Sequence, residues 1–155
     1  MTGRAEVGRL KQKLDATFKR LDGAVLDSEL QADFARYLCV LVSGYIETAA
    51  YELVVEHARH GGRPTFERFV DHRTRRFTNA NFTKLKELLR DFDPDWAEYL
   101  ENNVDSGSKD AVNAVVALRN KIAHGDSVGV TYRSISDYYS SVQQVIEMIA
   151  NLCVP

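Results

Sequence analysis

Apolar residues return every three or four positions along most of this chain, and that rhythm restricts it to packed α-helices. Near the C-terminus, Ile135, Tyr138, Tyr139, Val142, Val145, Ile146, Ile149 and Leu152 fall on one face of a single helix. Further upstream, Phe34, Tyr37, Leu38, Leu41, Tyr45, Ile46, Ala49 and Leu53 repeat the pattern over a much longer stretch. Strand-like alternation is scarce and there are only three prolines. The spacing therefore predicts an all-α protein, an antiparallel bundle of long helices with short accessory helices between them.

The punctuation divides this pattern into elements. A first helix is predicted over about Arg4–Leu21, with Val7, Leu10, Leu14, Phe18 and Leu21 inward and Asp22-Gly23 at its end. Ser28 is the expected N-cap of a long helix that Gly61-Gly62 stops. Pro64 opens a shorter helix through Phe66, Phe69 and Val70, and Asn79-Ala80-Asn81 caps the next. Asp93-Pro94 begins a helix with Trp96, Tyr99 and Leu100. After a loop over residues 102–107, Ser108 is the expected cap of a sixth helix. Gly125 ends that helix, residues 126–131 form a link, and Ser134 with Asp137 resembles a capping box for the last. The small residues Ser43, Gly44, Thr48, Ala49 and Ala50 permit close helix approach, either within one chain or between two copies.

The 155 residues suit one domain spanning 1–155. A net charge of −2 gives no global attraction for polyanions, so a nucleic-acid site must be local or built by assembly. Cys39 and Cys153 lie within apolar helical patterns and read as small buried hydrophobes, which suits a reducing cytosol. The N-terminal charges Arg4, Glu6 and Arg9 do not fit a secretory leader, and the apolar run 37–42 is too short to span a bilayer. A cytoplasmic location away from membranes is expected.

The chemically suggestive segment is Arg119-Asn120-Lys121-Ile122-Ala123-His124, followed by Gly125. Arginine binds phosphate, and histidine exchanges protons near neutral pH. Ala111, Val115, Leu118 and Ile122 form the expected core face of its helix, with Asn113, Ala117, Asn120 and His124 on a second stripe. Asn120 stands one turn before His124, where its amide can orient the imidazole. Arg119 is displaced from His124 by about 140° around an ideal helix. The long arginine stem, or unwinding near Gly125, can bring both heads to one phosphate. A second copy of the motif across a dimer axis does so more naturally. The same residues also fit a plain helix end, in which a cation in the last turn balances the macrodipole and Gly125 caps.

Arg-Asn-Lys-Ile-Ala-His-Gly resembles the signature of HEPN domains, which is Arg, four to six residues, then His. The resemblance extends to Ser43-Gly44-Tyr45-Ile46-Glu47 in the long helix, the segment from Asn81-Phe82 to Asp93, and Ser136-Asp137-Tyr138-Tyr139 in the final helix. The layout is most similar to the stand-alone RiboL-PSP and related subfamilies. This likeness implies a homodimeric, metal-independent endoribonuclease needing no cofactor, of the kind found in toxin–antitoxin or antiphage systems, with an antitoxin or defence-system partner. The implied catalytic residues are Arg119 and His124, supported by Asn120, with Glu47 a looser match to an acidic residue that some members use. A family variant carries Tyr two positions after the His, where a partner nucleotidyltransferase modifies it. Here that position is Asp126.

The implied reaction is attack of a ribose 2′-hydroxyl on the adjacent phosphodiester. His124 would serve as general acid or base, a role worth roughly 10²–10⁴-fold in rate. Arg119 would hold the phosphate and stabilise its developing charge. The basic residues Arg73, Arg75, Arg76, Lys84 and Lys86, with Lys121 on the motif helix, are candidates to steer RNA; the alternative is a solvated helical face. No metal site is expected, because His57, His60 and His72 lack a Cys partner and zinc-like spacing, and His57 and Arg59-His60 read as helix-end residues. The alternative function is a non-catalytic HEPN module that binds RNA or dimerises.

Overall fold

The computed structural model describes residues 3–155. Among the described residues there are seven helices: α1 (Gly3–Asp22), α2 (Ser28–His60), α3 (Pro64–Thr74), α4 (Phe82–Phe92), α5 (Pro94–Asn103), α6 (Ser106–Ala123) and α7 (Tyr132–Cys153). The all-α bundle predicted from periodicity is present, with α1, α2, α6 and α7 as its long members.

Cross-helix contacts give the directions. The α2 carboxylates Glu52 and Glu56 accept the first backbone N–H groups of α1, from Gly3 at 3.3 Å and Arg4 at 2.6 Å. Helix α1 therefore starts where α2 is ending, and two orphan donors of its first turn find acceptors. Along α7, Tyr132 donates to the Phe18 carbonyl at 3.1 Å, Tyr139 donates to Asp15 at 2.6 Å, and Arg4 donates to the Val154 carbonyl at 2.8 Å. Helix α1 thus runs antiparallel to both α2 and α7. The short link from α6 to α7 makes α6 antiparallel to α7, and so to α2. The Cys39 thiol, 3.6 Å from the Val115 carbonyl, fixes the level of α2 against α6.

Helix α2 is the axis of the bundle. By length and apolarity alone it would also suit a bilayer span. Here Leu38, Val42, Ile46, Ala49 and Leu53 are fully buried against neighbouring helices. Ser43, Ala49 and Ala50 are buried within the chain, whereas Gly44 and Thr48 line an open α1–α2 groove with Leu10, Tyr37 and Val40. Both cysteines are free and buried, and desolvation raises the Cys39 thiol to about 11 and the Cys153 thiol to about 12.

Three helix starts differ from the sequence expectation. Asp27, not Ser28, caps α2 by accepting from the Leu30 N–H. Asp105, not Ser108, caps α6, and Ser108 instead donates its hydroxyl to Asp105 at 3.0 Å. Helix α7 begins under Thr131, and the capping box pairs Thr131 with Ser134 rather than Ser134 with Asp137. In each case an equally good cap stands one to three residues earlier. The predicted caps at Asn81 and Asp93 are formed. In α3 only Val70 and Thr74 are buried, while Phe66 and Phe69 are exposed.

Candidate active site

The motif occupies the last turn of α6, at the end of the bundle where α2 and α7 begin. Its termination follows from Gly125. With φ at +78°, Gly125 adopts the left-handed conformation that a side chain disfavours. Its N–H donates to the Ile122 carbonyl at 3.1 Å, and the Asp126 N–H reaches back to the Lys121 carbonyl at 2.9 Å. This pair of bonds is the Schellman arrangement, and it leaves His124 as the C-cap residue. The His124 side chain is exposed at the rim of the bundle.

Arg119 has a different environment. The buried stripe of α6 is Ser108, Ala111, Val112, Val115 and Val116, and Arg119 extends it by standing three residues after Val116 and seven after Val112. Leu118 and Ile122, expected in the core face, are only partly buried. Arg119 is accordingly half-buried. Its Nη1 donates to the Asn120 side-chain oxygen at 3.4 Å. Asn120 was expected to orient His124, but its side-chain oxygen faces Arg119. The tie between Asn120 and His124 is the helical bond from the His124 N–H to the Asn120 carbonyl, at 3.1 Å. The two motif side chains thus leave α6 on different faces, one packed and one open.

Glu47 is not part of this arrangement. It lies eight residues beyond Cys39 on α2, while Arg119 lies four beyond Val115 on the antiparallel α6. At about 1.5 Å per residue, their levels differ by about 18 Å along the bundle. Glu47 instead accepts the Asn79 N–H at 3.0 Å, where Asn79 has a left-handed φ of 53°. It pins the α3–α4 turn. Asn113, a residue of the motif helix with no role assigned from sequence, holds the other side of that turn by accepting the Phe82 N–H at 2.9 Å. A polar residue on the α6 surface stripe was visible in the sequence, but its partner, thirty-one residues away, was not.

The basic cluster is divided. Arg75 pairs with Asp71, and Lys86 pairs with Glu101 at 2.7 Å. Arg73, Arg76 and Lys84 converge on a groove between α3 and α4. That groove lies at the level of Asn113, away from the α6 C-terminus. Lys121 is exposed beside the motif. His57 is not a helix-end decoration, since its Nδ1 is 2.9 Å from the Cys153 carbonyl and its ring meets Trp96 edge-on at 4.8 Å. His60 and Arg59 do lie at the helix end, exposed.

Four large apolar side chains are exposed in the α1–α2 loop and on the first half of α2. Val25, Leu30, Tyr37 and Val40 are all exposed, Tyr37 at 52% and Val40 at 40%. Tyr37 and Val40 bracket Cys39 and so stand near the level of Val115 and Leu118 on α6. Tyr37 and Val40 face the groove between α1 and α2, and exposed apolar side chains of this kind are a common mark of an interaction surface.

A family model described as RiboL-PSP-HEPN matches residues 6–154 of the chain. No curated protein and no solved structure matches it.

Proposed function

The chain belongs to the RiboL-PSP-HEPN family, and on that premise we propose that it is a metal-independent endoribonuclease acting as a homodimer. Family membership over nearly the whole chain supports a ribonuclease or nucleotide-related function at the coarse level. The observation that carries the finer reading is the unequal placement of the motif side chains. Arg119 is half-buried and tied to Asn120, while His124 is exposed on another face of the same turn. A phosphate held by Arg119 and a proton moved by His124 meet most directly when a second α6 faces the first. The exposed Tyr37 and Val40, in the α1–α2 groove at the level of the C-terminal half of α6, supply apolar area for that second copy.

In such a dimer, the cleft between two α6 helices contains both His124 side chains. One removes the proton from the ribose 2′-hydroxyl, and its oxygen attacks the adjacent phosphorus. The other protonates the departing 5′-oxygen, leaving a cyclic phosphate and a free 5′-hydroxyl. The Arg119 guanidinium binds the non-bridging oxygens and stabilises the extra negative charge of the transition state. Asn120 holds Arg119 rather than the imidazole. Lys121 lies where it can contact flanking phosphates. The nucleophile comes from the substrate, so the chain needs no nucleophile of its own. A cytoplasmic toxin or defence nuclease, restrained by a partner protein, is the setting that this chemistry suits.

The test is incubation of the purified protein with structured and unstructured RNA in EDTA, beside Arg119→Ala and His124→Ala. The wild type is expected to cleave and both variants to lose cleavage while keeping their helical spectrum. Cleavage that survives both substitutions removes the motif from the mechanism. Binding without cleavage on any RNA leaves a non-catalytic module.

A further inference from the structure

Helix α3 carries a charge island in a chain that is acidic overall. From Arg59 to Arg76, six arginines stand against two acids. Both acids are already engaged, Glu67 with Arg59 and Asp71 with Arg75 and the Tyr51 hydroxyl. Arg63, Arg68, Arg73 and Arg76 form no ion pair among the described residues.

The same helix exposes two large aromatic rings, Phe66 at 40% and Phe69 at 60%. Phe66, Phe69 and Arg73 recur at steps of three and four and form one stripe about 10 Å long, and Arg76, in the turn just after α3, lines the same groove as Arg73. Buried Val70 and Thr74 lie beside this stripe and seat α3 on the bundle. The stripe therefore forms one wall of a groove whose other wall is α4. The aromatic half of the groove encloses 580 Å³ between Phe66, Phe69, Leu88 and Phe92. The basic half encloses 420 Å³ and is bordered by Arg76, Phe77 and Lys84. Arg73, Thr74, Leu88 and Asp91 line both halves, so the groove is continuous. The Arg73 guanidinium already lies over the Phe69 ring, 5.7 Å from its centroid.

From this geometry we infer that the α3–α4 groove is a binding site for a short stretch of single-stranded RNA, separate from the Arg119–His124 site. Flat rings at one end and unpaired guanidinium groups at the other are what an unstacked strand requires. Bases stack on Phe66 and Phe69, and Arg73, Arg76 and Lys84 meet the phosphates. Glu87 and Asp91 on the α4 wall offer acceptors to exocyclic amino groups of the bases. A protein segment docking through apolar contact alone would not use the unpaired cations. The inference rests on the ribonuclease reading, because it gives the enzyme a second hold on the strand that it cuts.

The test uses the full chain and a fluorescent 2′-O-methyl oligoadenylate, which has no free 2′-hydroxyl and cannot be cleaved. Binding is followed by anisotropy at low salt. Phe69→Ala is expected to weaken binding roughly tenfold, the scale of one lost base stack, and Phe69→Tyr to restore it. Arg73→Ala weakens binding and reduces its salt dependence. Phe69 is exposed, so none of these changes threatens the fold. Wild-type affinity in Phe69→Ala, or in Phe69→Leu, overturns the stacking site, including the case in which Phe69→Ala disturbs only a protein partner. A wild type that cleaves natural RNA but does not bind the oligonucleotide overturns this site and leaves the ribonuclease reading standing. A wild type that neither binds nor cleaves overturns both.

Discussion

Replacing Glu47 separates a structural carboxylate from a catalytic one. Its oxygen accepts the Asn79 N–H at 3.0 Å in a half-buried position. A hydrogen bond to a charged acceptor contributes about 1.5–3 kcal/mol, and partial exposure places this one near the lower end. Glu47→Ala also leaves the left-handed Asn79 without the contact that holds it. A loss of about 1.5 kcal/mol in a domain of this length lowers Tm by roughly 3–6 °C. Glu47→Gln keeps an acceptor oxygen and should recover most of that loss. Neither substitution should change kcat for RNA cleavage at a temperature where the chain is folded, because Glu47 is about 18 Å from the level of Arg119. Thermal melts and initial cleavage rates on the same preparations give both readouts. Glu47→Ala with unchanged Tm and abolished cleavage would refute the assignment and return Glu47 to the catalytic site.

The other expectations are briefer. Gly125→Ala forces a side chain into φ of +78° and should cost about 1–2 kcal/mol while displacing His124; a urea melt and cleavage assay would show both losses together. Tyr139→Phe removes the 2.6 Å bond to Asp15 and should cost about 1–2 kcal/mol in denaturant melts, without altering RNA binding. The Tyr51 hydroxyl, and then Arg75, hold the Asp71 carboxyl below its usual range. A carboxyl lowered in the folded state stabilises above its unfolded value, so this contribution fades as pH falls through the acid range, and Asp71→Asn should flatten that limb of a Tm-against-pH curve. Tyr37→Asp with Val40→Asp should yield a monomer by light scattering and lose cleavage. A dimer that persists with full activity would place the interface elsewhere.

Much of the fold was legible because stripe periodicity is a local property. Val7, Leu14 and Phe18 of α1, and Ile135, Tyr139, Val142 and Ile149 of α7, are buried as their spacing predicts. Helix starts were harder to read, since Asp27 precedes Ser28 and Asp105 precedes Ser108. Local sequence offers two caps, and the packed helix selects one. In α3, Phe66 and Phe69 have the spacing of core residues, yet the short helix seats itself through Val70 and Thr74. The motif and its glycine stop were visible as a string. The partners of its neighbours were not, because Glu47 to Asn79 and Asn113 to Phe82 are tertiary contacts across more than thirty positions. The Asn120 contact was misplaced for a different reason. Spacing set its amide beside His124, but the adjacent Arg119, with a longer stem, reaches its oxygen.

The claim that one cleft is built from two motifs is tested most directly by subunit mixing. Wild-type chain is refolded together with increasing proportions of His124→Ala chain, and RNA cleavage in EDTA is measured at constant total protein. If both His124 side chains act in one cleft, mixed dimers are inactive and the rate falls as the square of the wild-type fraction. A rate that falls in direct proportion to that fraction, or a wild type that cleaves no RNA, would contradict the account.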